Sequence, residues 1–298
     1  MYSRWYTSSV ILFWLFTMSW LIARKVLPPL LLGEPPNYHA VLSAQEQSPL
    51  SGWYISMDDR RVGWAINRSV ALPDGGTNLC GHVHFDGLPL ARMTPAWFHG
   101  FLKLADQPLS SVKMETLSTI TISPQGHVSQ IDSSVRIEPL REIIRLTGAI
   151  DGTRLMLAVR AADFTYRTEA YLPSGTLLGD SLSPQTQMPG LHLGQTWTVP
   201  AYSPLRPPNS PLEILQAAVE TDESFVWNND TLETWLVVYR SDSGFTFSRK
   251  PPPRGKMWVR HDGTVLQQEI SVLDCKLTFL RMTDQRAAVL ANTKEEER

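Results

Sequence analysis

The chain has 298 residues and a formal net charge of −2, with no basic domain, which excludes the electrostatic footprint of a nucleic-acid binder. Charged residues make up 19%, below the roughly 25% usual for soluble domains, while tryptophan (10) and proline (22) are abundant. That balance argues against a helical bundle and for a β-rich chain with many turns.

From Trp5 to Ala23 no side chain is charged. The run is close to the roughly 20 residues a helix needs to cross a bilayer. Arg4 precedes it, Arg24 and Lys25 follow, and Trp5, Tyr6 and Trp20 sit near its ends, where amphipathic aromatics favour headgroups. The reading is an N-terminal transmembrane anchor over residues 1–25. A cleaved signal peptide with its core at Val10–Ala23 and a buried soluble helix are the alternatives. The short N-terminal tail and the Pro/Trp/Thr-rich domain behind the span place that domain outside the cytoplasmic membrane. The two cations after the span argue the other way.

Residues 26–50 hold PPLLLGEPP and a polar run, and read as a semi-extended juxtamembrane linker. A β domain is expected over 51–284. In WYISMDDRRVGWAIN, Trp53 and Ile55 alternate with Tyr54 and Ser56, and Val62, Trp64 and Ile66 continue beyond Asp58-Asp59. This is a hairpin, with Gly63 as a bulge or close-approach point. A turn follows at Ala71–Gly76. The one helix expected inside the domain is Pro95–Asp106, with Thr94 as its N-cap. Beyond it strands alternate with turns at Pro124-Gln125-Gly126, Asp151-Gly152, Pro173-Ser174-Gly175, Thr221–Ser224 and Pro251–Pro253, as in an antiparallel meander. Residues 285–298 read as a charged, solvated tail.

The apolar segment LHLGQTWTVP (Leu191–Pro200) lies between two proline-rich zones and reads as the crossing between two β-rich halves. D-G-T-x-L recurs at Asp151–Leu155 and Asp262–Leu266, with Asp163 and Asp274 at matched distances behind, which suggests that the halves are similar. A favoured hairpin turn would produce the same string by convergence. The fold class expected is all-β: a large curved antiparallel sheet or partial barrel with one N-terminal helix.

Three stretches carry a resemblance: Trp53, Tyr54, Val62, Gly63 and Trp64 at the opening, PGLHLGQTW (Pro189–Trp197) at the crossing, and WVRHDGTVL (Trp258–Leu266) near the close. Together they resemble the non-catalytic β domains that precede transglutaminase-like catalytic domains in some bacterial proteins, and related bacterial envelope proteins of unknown function. The resemblance covers roughly residues 50–283. It implies a strongly curved antiparallel sheet and no catalytic residues.

Cys80, His82 and His84 fall on one face of a strand, the sharpest local set that could meet a metal. Only Asp86 offers a supporting carboxylate, and no metal or cofactor is expected. No elbow motif frames Cys80 or Cys275 as a nucleophile. Whether the two cysteines join in a disulfide or stand as separate thiols is left open. Asp58-Asp59 and Asp222-Glu223 both fall at expected turn tips, where carboxylates serve the backbone. The remaining lead is aromatic. Trp53, Trp64, Trp197, Trp227, Trp235 and Trp258 lie in or beside strands, and either fill the core or line a groove. Trp53, Trp64, Trp197, Trp235 and Trp258 are the candidate ligand-binding set. The function expected is a membrane-anchored, non-enzymatic envelope domain that binds a partner protein or a lipid-type ligand. A Cys/His hydrolase or transferase, or a purely structural spacer, are the alternatives.

Overall fold

The structure, a computed structural model, describes residues 4–22, 38–47, 50–88, 112–138, 143–161, 164–171, 183–202, 212–241, 252–272 and 275–296. Fourteen strands form one antiparallel sheet: β1 (Leu50–Met57), β2 (Arg60–Ala71), β3 (Thr77–Leu88), β4 (Val112–Ile122), β5 (Val128–Glu138), β6 (Ile143–Asp151), β7 (Arg154–Ala161), β8 (Phe164–Tyr171), β9 (Thr196–Tyr202), β10 (Leu212–Trp227), β11 (Asp230–Ser241), β12 (Pro253–Arg260), β13 (Val265–Val272) and β14 (Cys275–Arg281). The order across the sheet is β8 to β1, then β14 down to β9. The chain thus walks outward from β1 to one edge, crosses to the other edge, and walks back until β14 pairs with β1. The sheet is open, with β8 and β9 as its edges among the described residues.

Period-two alternation gives the sheet one dry face. Trp53, Ile55, Met57, Ala65, Val83, Phe85, Met114 and Ile137 belong to one buried cluster with Trp197, Val219, Val237, Met257, Val259, Leu277 and Phe279. That cluster runs from β5 through the β1–β14 seam to β9, and marks the concave face. Leu155 and Leu157 form a separate small cluster with Leu146, Ile150 and Val159 in the β6–β7 wing.

The β1–β2 turn uses Asp58 (φ 47°) and Asp59 (φ 67°), and the β10–β11 turn uses Asn228 (φ 50°) and Asn229 (φ 69°). Two consecutive positive-φ residues twist with the strands, and Asp and Asn tolerate that region best after glycine. At Gly63 the register between β1 and β2 shifts, and a Cβ there would lie 2.0 Å from the His84 carbonyl oxygen. The expected bulge and the expected close approach are both present.

Residues 183–195 form a strap that lies across the concave face. Asn67 of β2 donates its side-chain amide to Pro184 O at 2.7 Å. Arg281 of β14 donates to Thr186 O at 3.2 Å, and Gln268 of β13 accepts from Gln185 N at 3.0 Å. At the β12–β13 turn, Met188 N donates to Gly263 O at 2.7 Å and Val265 N donates to Thr186 O at 3.2 Å. On β10, Gly194 N and Val219 O meet at 3.0 Å, and Val219 N donates to Gln195 O at 2.9 Å. The expected crossing at 191–197 is therefore the link between the sheet's two edges. Gly263 has φ 92°, and a Cβ on it would sit 2.7 Å from Pro189 Cα, so strap and turn require glycine twice over.

Several expectations are corrected. The N-terminal run forms helix α1 (Arg4–Leu21), but among the described residues no helix is long and apolar enough to cross a membrane. Arg4 sits in its first turn, and Thr7, Ser8, Ser9, Thr17 and Ser19 dilute the apolar run. Residues 38–47, assigned to an extended linker, form helix α2 (Tyr38–Gln47), which packs on β2 with Val41 buried. The expected solvated tail is helix α3 (Asp284–Glu296). It packs on the convex face because Gly52 leaves room for Ala287, and Met282 and Ala291 join Trp64 and Ile66. Thr221–Ser224 is no turn: β10 runs through it, absorbing one residue in a register shift between Val219 and Thr221. Cys80 and Cys275 are both free, one half-buried and one buried in separate strands. The D-G-T echo falls on corresponding hairpins but in different turns. Asp151 and Arg154 flank a two-residue turn, whereas Arg260 and Thr264 flank a three-residue one. The shared string records turn preference, and one continuous sheet replaces two half-sheets. The helix expected at Pro95–Asp106 and the turns at Pro173–Gly175 and Pro251 lie outside the described residues.

Two turns make opposite predictions. Gly263→Ala drives a methyl into the strap backbone and is expected to cost about 2–3 kcal/mol, read as a lowered urea midpoint. Asn229→Gly removes a left-handed penalty in an exposed turn and is expected to raise stability by about 0.5–1 kcal/mol. A third concerns Asp262, which holds the strap turn by accepting from Thr264 N at 2.9 Å and from Arg260. The Arg260 hydrogen bond, with help from Thr264, holds its carboxyl down at about 2, against an ordinary 3.8. A depressed carboxylate contributes stability that is complete above the ordinary value and lost as pH falls through the folded one. The stability difference between the unmutated chain and Asp262→Asn is therefore expected to be full at pH 6 and to shrink between pH 4 and pH 2. Urea midpoints of both chains at each pH check it.

Candidate binding surfaces of the curved sheet

The five tryptophans do not share one groove. Trp53 and Trp197 lie inside the concave cluster, 0% and 2% exposed, and Trp235 packs half-buried against it. Trp64 is on the convex face, buried with Ile66 under α3. Trp258 also turns to the convex side, opposite in parity to Met257 and Val259 of the core. There its indole N–H bonds the Glu223 carboxylate, 5.9 Å from the Phe225 ring centroid. Trp227, at the β10–β11 tip, donates to Arg281 O at 2.8 Å and folds the hairpin back onto the end of β14.

The concave face combines apolar packing with a few polar groups. The Arg281 guanidinium lies 5.8 Å from the Trp53 ring centroid while it holds Thr186 O. Burial lowers its pKa, against the pull of Asp284. Trp197 meets Tyr239 edge-on at 6.4 Å. The Tyr239 hydroxyl reaches the Met188 sulfur at 3.9 Å, and burial pushes its phenol pKa up. Among the described residues the Trp53 and Trp197 indole N–H groups and the Thr116 hydroxyl are buried without a hydrogen-bond partner. A buried donor left unmet costs about 1–3 kcal/mol, so each of these positions would gain from an acceptor.

On the convex face Cys80, His82 and His84 share one side of β3, as their spacing requires. Each imidazole has its own carboxylate. His82 Nε2 is 2.7 Å from Glu115 Oε1, while Glu115 Oε2 accepts from Arg136 at 3.2 Å; His84 Nε2 is 3.2 Å from Asp86 Oδ1. Trp64 packs against both rings, edge-on to His82 at 4.7 Å and stacked on His84 at 5.4 Å. Among the described residues no three His, Cys, Asp or Glu side chains gather as metal ligands. Beside this row Glu115, Leu117, Ser134 and Arg136 line a recess of about 20 Å³, room for one water.

The carboxylate pairs separate as well. Asp222 and Glu223 are neighbours within β10 and point to opposite faces. Asp222 meets His261 at 3.2 Å, whose ring lies 4.4 Å from that of Trp235. Asp58 and Asp59 sit at the β1–β2 tip, where Asp58 Oδ1 accepts from Lys276 N at 3.3 Å. Sequence reasoning missed the polar residues that clamp the strap. Asn67, Gln268 and Arg281 interrupt otherwise apolar faces of their strands, and that interruption was the available signal.

No family model matches the chain, and no curated protein matches it. Among solved structures, the fold is similar to a beta-barrel-like protein of a domain of unknown function, DUF1849, from Brucella abortus, with TM-score 0.44 and 7% sequence identity, covering 78% of this chain and 95% of that one.

Proposed function

We propose that the chain is a non-enzymatic β scaffold of the bacterial cell envelope, held at the membrane by α1 and serving to bind a partner protein. The observation that carries this reading is the packing of the concave face. A single buried cluster extends from β5 to β9, and the strap lies over it with Met188 1% exposed. A ligand carrier keeps its curl open, and an enzyme needs reacting groups converging on a cleft. Here Asn67, Gln268 and Arg281 of the concave face are occupied with the strap, and the convex histidines each hold a carboxylate on a solvated surface. The resemblance of the opening, crossing and closing motifs to non-catalytic β domains supports the same reading.

The membrane part rests on α1. Val10, Ile11, Leu12, Phe13, Trp14, Leu15 and Phe16 are all exposed, so the middle of the helix, about two turns, is apolar on every side. Such a helix is stable in water only when something covers it. Lipid is the occupant of matching chemistry, with Trp5, Tyr6 and Trp20 suited to the headgroup level.

In a flotation assay with vesicles of phosphatidylethanolamine and phosphatidylglycerol, the full chain is expected to rise with the lipid. Leu12→Asp with Phe16→Asp is expected to stay in the pellet fraction, and equal flotation of both would remove α1 from the proposal.

One observation favours a second reading, a lipid-type ligand with an acceptor oxygen inside the curl: the unmet donors of Trp53, Trp197 and Thr116. Native mass spectrometry of the full chain, released from detergent, separates the two. The scaffold reading expects the bare chain mass. A retained mass that extracts into organic solvent and is lost in Trp197→Phe would establish the ligand reading in its place.

A further inference from the structure

The two edges of the sheet are built differently. On β10, Val219 exchanges hydrogen bonds with the strap at Gly194 and Gln195, so alternation turns Ala217 and Leu215 toward β9 as well. Ile214, opposite Pro200, then faces away, and Pro200 directs its nitrogen, which has no hydrogen, out of the sheet. Proline at that position blunts an edge. β8 (FTYRTEAY) carries no proline and runs unbroken along β7, with no register shift from Arg154↔Tyr171 to Ala161↔Phe164.

The direction of each β8 backbone group follows from the hairpin beside it. Asp151 and Arg154 close a two-residue turn and are a hydrogen-bonded pair. Leu155, Leu157 and Val159 therefore face β8, bonded to Ala170, Thr168 and Tyr166. The backbone N–H and C=O groups of Thr165, Arg167, Glu169 and Tyr171 point outward, and among the described residues no strand takes them. The side chains of these four residues are exposed. Glu169 is held in place by Arg154 Nε at 3.0 Å, and Arg154 also donates to the Tyr171 hydroxyl at 3.3 Å. Arg167 has no ion-pair partner among the described residues.

An antiparallel partner must match outward groups with outward groups, which limits a self-pairing to registers with an even index sum. With Arg167 on the two-fold axis, like charges face each other. With Thr168 on the axis, Arg167 lies opposite Glu169 of the second copy, twice by symmetry, and Thr165 lies opposite Tyr171. We infer that β8 pairs with β8 of a second copy of this chain, antiparallel about Thr168, joining two sheets into one. Opposite charges directly across a strand pair are favourable and like charges are not, so the charge order on β8 selects this register. A C2 interface of this kind is self-complementary and closed, which fits an edge left regular where the other is blunted. The inference is independent of the partner-binding proposal, which rests on the concave packing and α1.

The test uses the full chain in detergent micelles. The two Thr168 residues face each other in a non-hydrogen-bonded pair, with Cα atoms about 4.5 Å apart, within disulfide reach. Thr168→Cys is expected to give a disulfide-linked dimer on mild oxidation. The two copies of Thr165 would stand about 20 Å apart in this register, so Thr165→Cys is expected to stay monomeric on a non-reducing gel, as is the unmutated chain with Cys80 and Cys275. Arg167→Glu alone and Glu169→Arg alone are each expected to weaken dimerisation about tenfold in sedimentation, and the double exchange to restore it. A monomer at all concentrations, a crosslink at Thr165 equal to that at Thr168, or dimerisation indifferent to charge reversal would each overturn the inference. Should the variants misfold, sedimentation of the unmutated chain decides between monomer and dimer. Hydrogen exchange then shows whether dilution deprotects Arg167 and Glu169.

Discussion

The contacts between the strap and the concave face are the constraint on which the architecture depends. A meander that begins at the centre of its own sheet leaves its two halves ending at opposite edges. One segment must then travel from β8 to β9, and the short way is over a face. Backbone laid across an apolar surface leaves its N–H and C=O groups without water, so each needs a partner there. The partners are supplied at intervals: Asn67 on β2, Arg281 on β14, Gln268 on β13, the Gly263 turn, and Val219 on β10. These contacts fix how far the sheet can uncurl. Large open sheets otherwise split or flatten. Here the strap ties strands that are far apart in the sheet to one length of chain.

The same constraint explains which parts of the fold were legible in the sequence. Period-two alternation and glycine-bearing turns are local, and the strands from Trp53 to Tyr171 read correctly wherever they are described. Gly63 was legible because a glycine inside an alternating run has few other uses. The crossing at Leu191–Trp197 was legible because proline zones isolate it. Helices α2 and α3 were not. Helix α3 contains Thr293, Lys294, Glu295 and Glu296, which look like a solvated end, and its reason to fold is tertiary: Ala287 fits over Gly52, more than two hundred positions earlier. Nor was the course of β10 legible. Thr221–Ser224 has turn composition, but a register shift absorbs one residue and strand pairing with β11 overrides the local preference.

The candidate site was legible only as far as parity. Alternation states that Trp53 and Ile55 share a face, and that Trp64 and Ile66 share one. It does not state which face is dry, and across the β1–β2 pair Trp64 stands opposite Tyr54, on the other side from Trp53. Both faces of β1 and β2 are covered, one by the core and one by α3, so both look apolar in sequence. The Cys80–His82–His84 row was legible to the same extent, and among the described residues no three potential ligands gather there. Shared parity puts the three residues in line, and the structure adds what parity does not show: Glu115, Asp86 and the Trp64 ring each contact an imidazole.

The unmet donors on the concave face set a limit on how far packing alone explains the interior. At about 1–3 kcal/mol each, the four such groups, with the Ser51 hydroxyl the fourth, together approach a large share of the 5–15 kcal/mol by which a domain of this kind is stable. Phenylalanine at 53 or 197 and valine at 116 would fill the same space without that cost. The interior is therefore not tuned for stability alone. An acceptor that reaches these donors, whether an ordered water or a bound molecule, would recover that cost. The groups that hold the strap, Asn67, Gln268 and Arg281, lie in the same interior. Binding on the concave side would then act on the link that holds the sheet's two edges together.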